Sequence, residues 1–144
     1  MYADFTNKNE GLTEDIRKNH KDTYVAGGYV QRDLKFYKNT THPSATWKLK
    51  KEQLQAFENG VTMLKKRKIP FQLVQAPVTK AYYQSYINNA EFDSLMTTYG
   101  TYTNFNEISI LDDSLHFFDE HHLNQNGVEV FNEDLLRVLD FFQK

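Results

Sequence analysis

The feature that most constrains the fold is a helix pattern, a proline-marked turn and a short apolar run between residues 50 and 77. Four apolar residues have the spacing of one face of an amphipathic helix: Leu54, Phe57, Val61 and Leu64. The cations at residues 65–68 fall in the last turn of this helix, where positive charge interacts favourably with the negative end of the helix dipole. Pro70 then keeps its predecessor out of the helical region. Residues 71–75 then predict a buried strand. A helix that leads into a buried strand is half of a βαβ unit, so we expect an α/β fold with a parallel sheet.

The alternation continues towards the C-terminus. Residues 80–87 and 91–99 predict two helices, with Gly100 as a stop for the second. Residues 102–105 are a candidate strand, and residues 112–116 are interpreted as an acid-rich loop. The last helix is predicted from the apolar face Val128, Phe131, Leu135, Leu139 and Phe142.

The N-terminal part of the chain differs from the rest. Residues 1–46 are polar and weakly periodic, and Gly, Asn and Pro punctuate them. Residues 24–26 and 28–30 are each a candidate strand. We therefore predict an irregular segment over residues 1–46 and an α/β domain over residues 47–144.

Composition excludes several classes of function. A chain of 144 residues with a net charge of −2 has no general attraction for nucleic acid. The absence of cysteine removes disulfides, thiolate metal ligands and a cysteine nucleophile. No run of residues approaches the roughly 20 apolar positions that a membrane span needs, so no spanning segment is expected.

Residues 118–127 contain the candidate catalytic residues. Asp119 lies three residues before His122, so one tight turn would bring the carboxylate onto the imidazole ring. A carboxylate that accepts from one ring nitrogen fixes the tautomer and leaves the other nitrogen as a base. Asn124 suits the N-cap of the last helix. Gly127 in its first turn indicates that another part of the chain packs closely there.

The pattern Asp119-x-x-His122-Leu123-Asn124-x-x-Gly127, followed by an amphipathic helix, resembles the C-terminal block of the SGNH, or GDSL-like, hydrolases. Residues 69–77 resemble the penultimate sheet strand of the same family. The resemblance covers residues 50–144 and implies a three-layer α/β/α sandwich, flavodoxin-like, with a parallel sheet. It implies a serine esterase or acyltransferase that acts on acyl esters of carbohydrates or lipids, with His122 as general base and Asp119 as its orienting acid. It implies no cofactor and no metal.

The nucleophile of that family is not found in this chain. The five serines are Ser44, Ser85, Ser94, Ser109 and Ser114, and none follows a strand in a tight glycine turn. The motifs that supply oxyanion donors are also not found. The sequence therefore predicts the C-terminal part of such an enzyme, without its N-terminal strands and inactive alone, because a base without a nucleophile does not cleave an ester.

Two other functions stay open. The first is a non-catalytic binding module that keeps the fold. Trp47, Tyr82 and Tyr83 are candidates for lining a carbohydrate site, although they also suit ordinary packing. The second is a metal-dependent enzyme, whose candidate ligands are His116, Asp119, Glu120, His121 and His122.

Missing strands have a physical consequence for the strand at residues 71–75. It would expose an edge that a neighbour should cover. We expect this edge to be covered by a second copy of the chain or by residues 20–36 acting as a substitute strand.

Overall fold

The computed structural model describes residues 18–19, 22–25, 29–32, 34–38 and 40–140. The chain divides into two compact units, Met1–Lys35 and Phe36–Lys144. In the first unit, β1 (Lys18–Asn19), β2 (Asp22–Val25) and β3 (Tyr29–Arg32) form an antiparallel sheet in the order β1-β2-β3. These strands overlap the two candidates at residues 24–26 and 28–30, although residues 26 and 28 themselves lie outside the described residues. The division predicted after residue 46 stays a prediction.

The second unit contains a two-stranded parallel sheet. β4 (Leu73–Gln75) pairs with β5 (Tyr102–Asn104). Parallel neighbours need a crossover connection, which here consists of two helices. The chain is thus a mixed α/β protein, as expected, with a shorter first strand than residues 71–75. The described strands at residues 22–25 and 29–32 pair with each other within the first unit, and the expectation that residues 20–36 cover the edge of β4 stays a prediction.

Helix α1 (Lys51–Lys66) precedes β4 and has the predicted amphipathic face, in which Val61 is buried. The helix ends before the proline, because the backbone turns at Lys68, whose φ of 55° is left-handed. The Lys68 N–H donates to the Lys65 carbonyl, and the Ile69 N–H donates to the Leu64 carbonyl. This pair of bonds is a Schellman motif, which normally uses glycine at the left-handed position.

The crossover consists of α2 (Lys80–Ser85) and α3 (Asn89–Thr97). Helix α2 is shorter than the helix predicted at residues 80–87, because Tyr86 has an extended backbone. Helix α3 has the predicted length but begins and ends two residues earlier than residues 91–99. Asp93 on α3 accepts hydrogen bonds from the Tyr102 hydroxyl at 2.7 Å and from Asn104 Nδ2 at 2.9 Å. These bonds attach α3 to both ends of β5.

Three helices complete the second unit: α4 (Phe105–Ile108), α5 (Asp113–His116) and α6 (Gln125–Asp140). Fully buried Phe105 packs edge-on against Phe131 of α6, with ring centroids 5.0 Å apart. The acid-rich loop expected at residues 112–116 is a short helix instead. The Asp112 side chain accepts from the N–H groups of Ser114 and Leu115, and such a cap starts a helix.

Within the described ranges, no helix has the length and apolar character that crossing a membrane requires.

Candidate active site

The loop that holds Asp119 and His122 is closed by a short hairpin between α5 and α6. The Phe118 N–H donates to the His122 carbonyl at 2.8 Å, and the Asn124 N–H donates to the His116 carbonyl at 3.0 Å. Between these bonds lies an antiparallel bridge from Phe117, which is 1% exposed, to Leu123. The loop is therefore fixed at its base by backbone bonds and a buried ring.

Asp119 organises the tip of the loop. Its Oδ1 accepts the backbone N–H groups of His121 and His122, each at 2.9 Å. The same oxygen lies 2.9 Å from His122 Nδ1, and Oδ2 lies 3.0 Å from that nitrogen. The tight turn expected from the three-residue spacing is present, and it brings the two side chains together.

The contact assigns the tautomer of His122. Partial burial of Asp119 acts to raise its pKa, but hydrogen bonds from His121 and His122 outweigh it and lower the pKa below the usual value. Asp119 is thus an ionised carboxylate near neutral pH, which can only accept. The Nδ1 nitrogen of His122 must carry the proton, so Nε2 holds the free lone pair. The side chain of His122 is 74% exposed, and a reactant can reach that lone pair.

A buried threonine attaches the loop to the start of α2. The Thr79 N–H donates to the Glu120 carbonyl at 3.1 Å, and its hydroxyl donates to the same oxygen at 3.4 Å. Thr79 is fully buried and follows β4 by a few residues. We call Asp119 and His122 the dyad. Through this contact the dyad loop lies on the side of the carboxyl end of β4, where open α/β sheets bind their ligands.

The start of α6 supports the loop from the other side. Asn124 is 4% exposed; its Oδ1 accepts the Gly127 N–H at 3.0 Å and its Nδ2 donates to the Leu115 carbonyl at 2.9 Å. A Cβ on Gly127 would overlap the His116 carbonyl oxygen. The predicted cap and the predicted close approach are both confirmed.

Helix α2 separates two different surfaces. Lys80, Tyr83 and Gln84 line a cleft of about 460 Å³ together with residues after β4 and β5. The opposite face of α2 carries Tyr82, whose ring lies edge-on to His121 with centroids 4.3 Å apart. Since residues three and four apart share a helix face, the cleft and His121 lie against opposite faces of α2.

None of the five serines, all of which lie in the 40–140 range, hydrogen-bonds to His122. Ser85 and Ser94 donate to carbonyls of their own helices, and Ser114 donates to Asp112. The Ser109 hydroxyl is buried without a partner and lines the cleft on the far face of α2.

The alternative metal ligands do not converge. His116 Nδ1 accepts the Asp112 N–H at 2.8 Å, and Asp119 is bound to His122. Among the residues whose side chains the structure describes, no group of three or more histidine or acidic side chains is arranged to hold a metal ion.

Two features of this site have no signal in the sequence. Thr79 and Glu120 are far apart in the chain, and the motif specifies no residue type at either position, so only the fold reveals that they meet. The contact of Tyr82 with His121 is of the same kind. A tyrosine on a short helix is equally typical of core packing.

Comparisons of the chain with protein-family models, with curated proteins and with solved structures find no match. The mixed α/β architecture and the geometry of the Asp119–His122 pair are therefore the findings on which any function has to be argued.

Proposed function

We propose that this chain carries the base half of a serine esterase or acyltransferase of the SGNH type, which acts on an acyl ester. The single observation that supports this most is the 2.9 Å contact between Asp119 Oδ1 and His122 Nδ1, with the imidazole exposed. This is the arrangement that hydroxyl activation requires, because it combines a fixed tautomer with a free base nitrogen.

In the proposed reaction, Nε2 of His122 takes the proton from a serine hydroxyl while the serine oxygen bonds to the ester carbonyl carbon. The same nitrogen then gives that proton to the leaving alcohol as its carbon–oxygen bond breaks. Asp119 stays ionised and stabilises the imidazolium form between these two steps. Water repeats the sequence on the acyl-enzyme and regenerates the serine.

The serine is proposed to come from polypeptide outside this sequence, because none of the five serines hydrogen-bonds to His122. The experiment compares this chain with the natural gene product read from upstream of Met1. The substrate is ethyl acetate, and released acetate is measured. An unactivated ester is chosen because an exposed imidazole slowly hydrolyses activated esters without any serine.

We expect turnover only in the longer product. His122→Ala in that product should lower kcat by at least about a thousandfold, and Asp119→Asn should lower it strongly. His116→Gln is the matched control, since it removes an imidazole outside the dyad. Absence of turnover in the longer product, or turnover that His122→Ala leaves intact, would contradict the proposal.

A second copy of the chain is the partner that we propose for the open side of the parallel sheet. Among the described residues β4 pairs with β5 alone, and Val74 at its centre is 44% exposed. An unpaired strand edge without charge or proline is a template for a further strand. The strand sequence Leu-Val-Gln has neither, which favours self-association.

A further inference from the structure

A row of aromatic side chains leads from Trp47 across α2 to His121. Trp47 stacks on Tyr86 with ring centroids 4.1 Å apart and an interplanar angle of 16°. Tyr86 contacts Tyr82 at 5.3 Å, and Tyr82 contacts His121, the neighbour of the base, at 4.3 Å. We call Trp47, Tyr82 and Tyr86 the aromatic strip. All three are half-buried, so each packs against the protein and still shows part of its surface.

The strip is held in place by contacts that fix its far end. The indole N–H of Trp47 donates to Asn89 Oδ1 at 2.7 Å, and its backbone N–H donates to Asn88 Oδ1 at 2.8 Å. The segment before Trp47 is bonded to the chain after α2, because the Ala45 N–H donates to the Ser85 carbonyl and the Ile87 N–H donates to the Ala45 carbonyl. A ligand would therefore meet a preformed surface.

The edges of the strip are polar. The hydroxyls of Tyr82 and Tyr86 lie 2.8 Å apart and share one hydrogen bond. Two phenols have two protons, and only one is used between them, so the other remains for a further acceptor. His42 lies edge-on to Tyr82 with centroids 5.2 Å apart. Apolar ring surface bordered by hydroxyl and imidazole groups matches the C–H faces and hydroxyl edges of a sugar ring.

The charge around the strip disfavours anionic ligands. Glu120 lies within 3.8 Å of the His121 imidazole. Burial is the largest cause that raises the pKa of Tyr82 to about 12, and the charge of Glu120 adds to it. With the Asp119 carboxylate beside it, the end of the strip near the dyad is negative, so a neutral ligand fits better than an acidic one.

We propose that the aromatic strip binds the neutral oligosaccharide part of a glycan ester and so presents its acyl group to His122. The inference rests on the proposed function, since it names the substrate class of that same site. A lipid would need a continuous apolar surface, whereas the hydroxyl and imidazole edges here interrupt it.

The test is binding of neutral oligosaccharides to the whole 144-residue chain, followed by two-dimensional NMR. The probes are xylotetraose, cellotetraose and chitotetraose, with polygalacturonate as the acidic probe and phosphatidylcholine vesicles as the lipid probe. At least one neutral probe should bind and shift the ring signals of Tyr82 and Tyr86. Tyr82→Ala and Tyr86→Ala should each weaken binding by about tenfold.

The matched control is Tyr99→Ala, which removes a half-buried tyrosine that contacts Phe57, outside the strip. Tyr82→Phe with Tyr86→Phe keeps both rings and should retain part of the affinity, which excludes misfolding as the cause of lost binding. Failure of all three neutral probes to bind overturns the inference, as does preferential binding of polygalacturonate or vesicles.

These outcomes separate the inference from the proposed function, because binding needs no nucleophile. Glycan binding without hydrolysis by the longer gene product would contradict the esterase alone and favour a binding module. Hydrolysis of ethyl acetate without glycan binding would contradict the role of the strip alone.

Discussion

Replacing Gly127 with alanine tests whether the dyad loop and helix α6 are locked together. The added Cβ would overlap the His116 carbonyl oxygen and lie 3.0 Å from both the His116 carbonyl carbon and Leu123 Cδ2. That oxygen cannot simply retreat, because it accepts the Asn124 N–H at 3.0 Å and closes the hairpin. The first turn of α6 must therefore move away from the loop.

The cost follows from the contacts that this movement disturbs. Loss of the Asn124 cap costs about 1 kcal/mol, and loss of one backbone hydrogen bond costs about 1 kcal/mol. Crowding against backbone atoms adds about 2 kcal/mol. The higher helix propensity of alanine relative to glycine offsets these losses by about 1 kcal/mol of folding free energy. We expect the free energy of unfolding to fall by about 3 kcal/mol, which lowers Tm by roughly 10 °C.

The assay is chemical and thermal unfolding of Gly127→Ala beside Gly60→Ala. Gly60 lies inside α1, and a Cβ there would meet nothing within 4 Å. The same substitution should therefore raise the free energy of unfolding by about 1 kcal/mol. A Gly127→Ala protein as stable as the wild type, or stabilised like Gly60→Ala, would refute the close approach of the loop and α6.

Four further outcomes follow from the described contacts. Asn124→Ala should cost about 2 kcal/mol in unfolding experiments, because it removes a cap and leaves the Leu115 carbonyl without its donor; a loss well below 1 kcal/mol would contradict this. The lowered pKa of Asp119 gives stability that is present above its unfolded pKa of about 3.9 and is lost as pH falls through the lower folded value. Asp119→Asn should therefore flatten the fall of Tm below about pH 4, and parallel curves for the two proteins would count against the dyad contact. Lys68→Gly should raise the free energy of unfolding by about 1 kcal/mol, since glycine adopts the left-handed φ without strain; destabilisation would exclude that conformation. Val74→Lys should shift sedimentation towards the monomer without unfolding the chain, and a wild-type protein that is already monomeric would contradict pairing through β4.

Short-range spacing in the sequence determined several of the helices of this protein and the contact at its candidate site. The three- and four-residue spacing of Leu54, Phe57, Val61 and Leu64 is enough to predict α1, because an amphipathic face needs only local periodicity. The spacing of Asp119 and His122 is likewise short enough for one turn to bring them together. Where a prediction was wrong, at residues 112–116, the deciding contact was a side-chain cap by Asp112 that competes with the loop preference of acidic residues.

Only the tertiary structure decided what surrounds the imidazole. Thr79 fixes the loop through Glu120, and Tyr82 places an aromatic strip beside His121. These contacts join residues about forty positions apart, and their free energy is gained only when the crossover helices have brought β4 beside β5. A single sequence carries no periodic trace of such pairings. The dyad could therefore be predicted from its motif, but its surroundings required the folded chain.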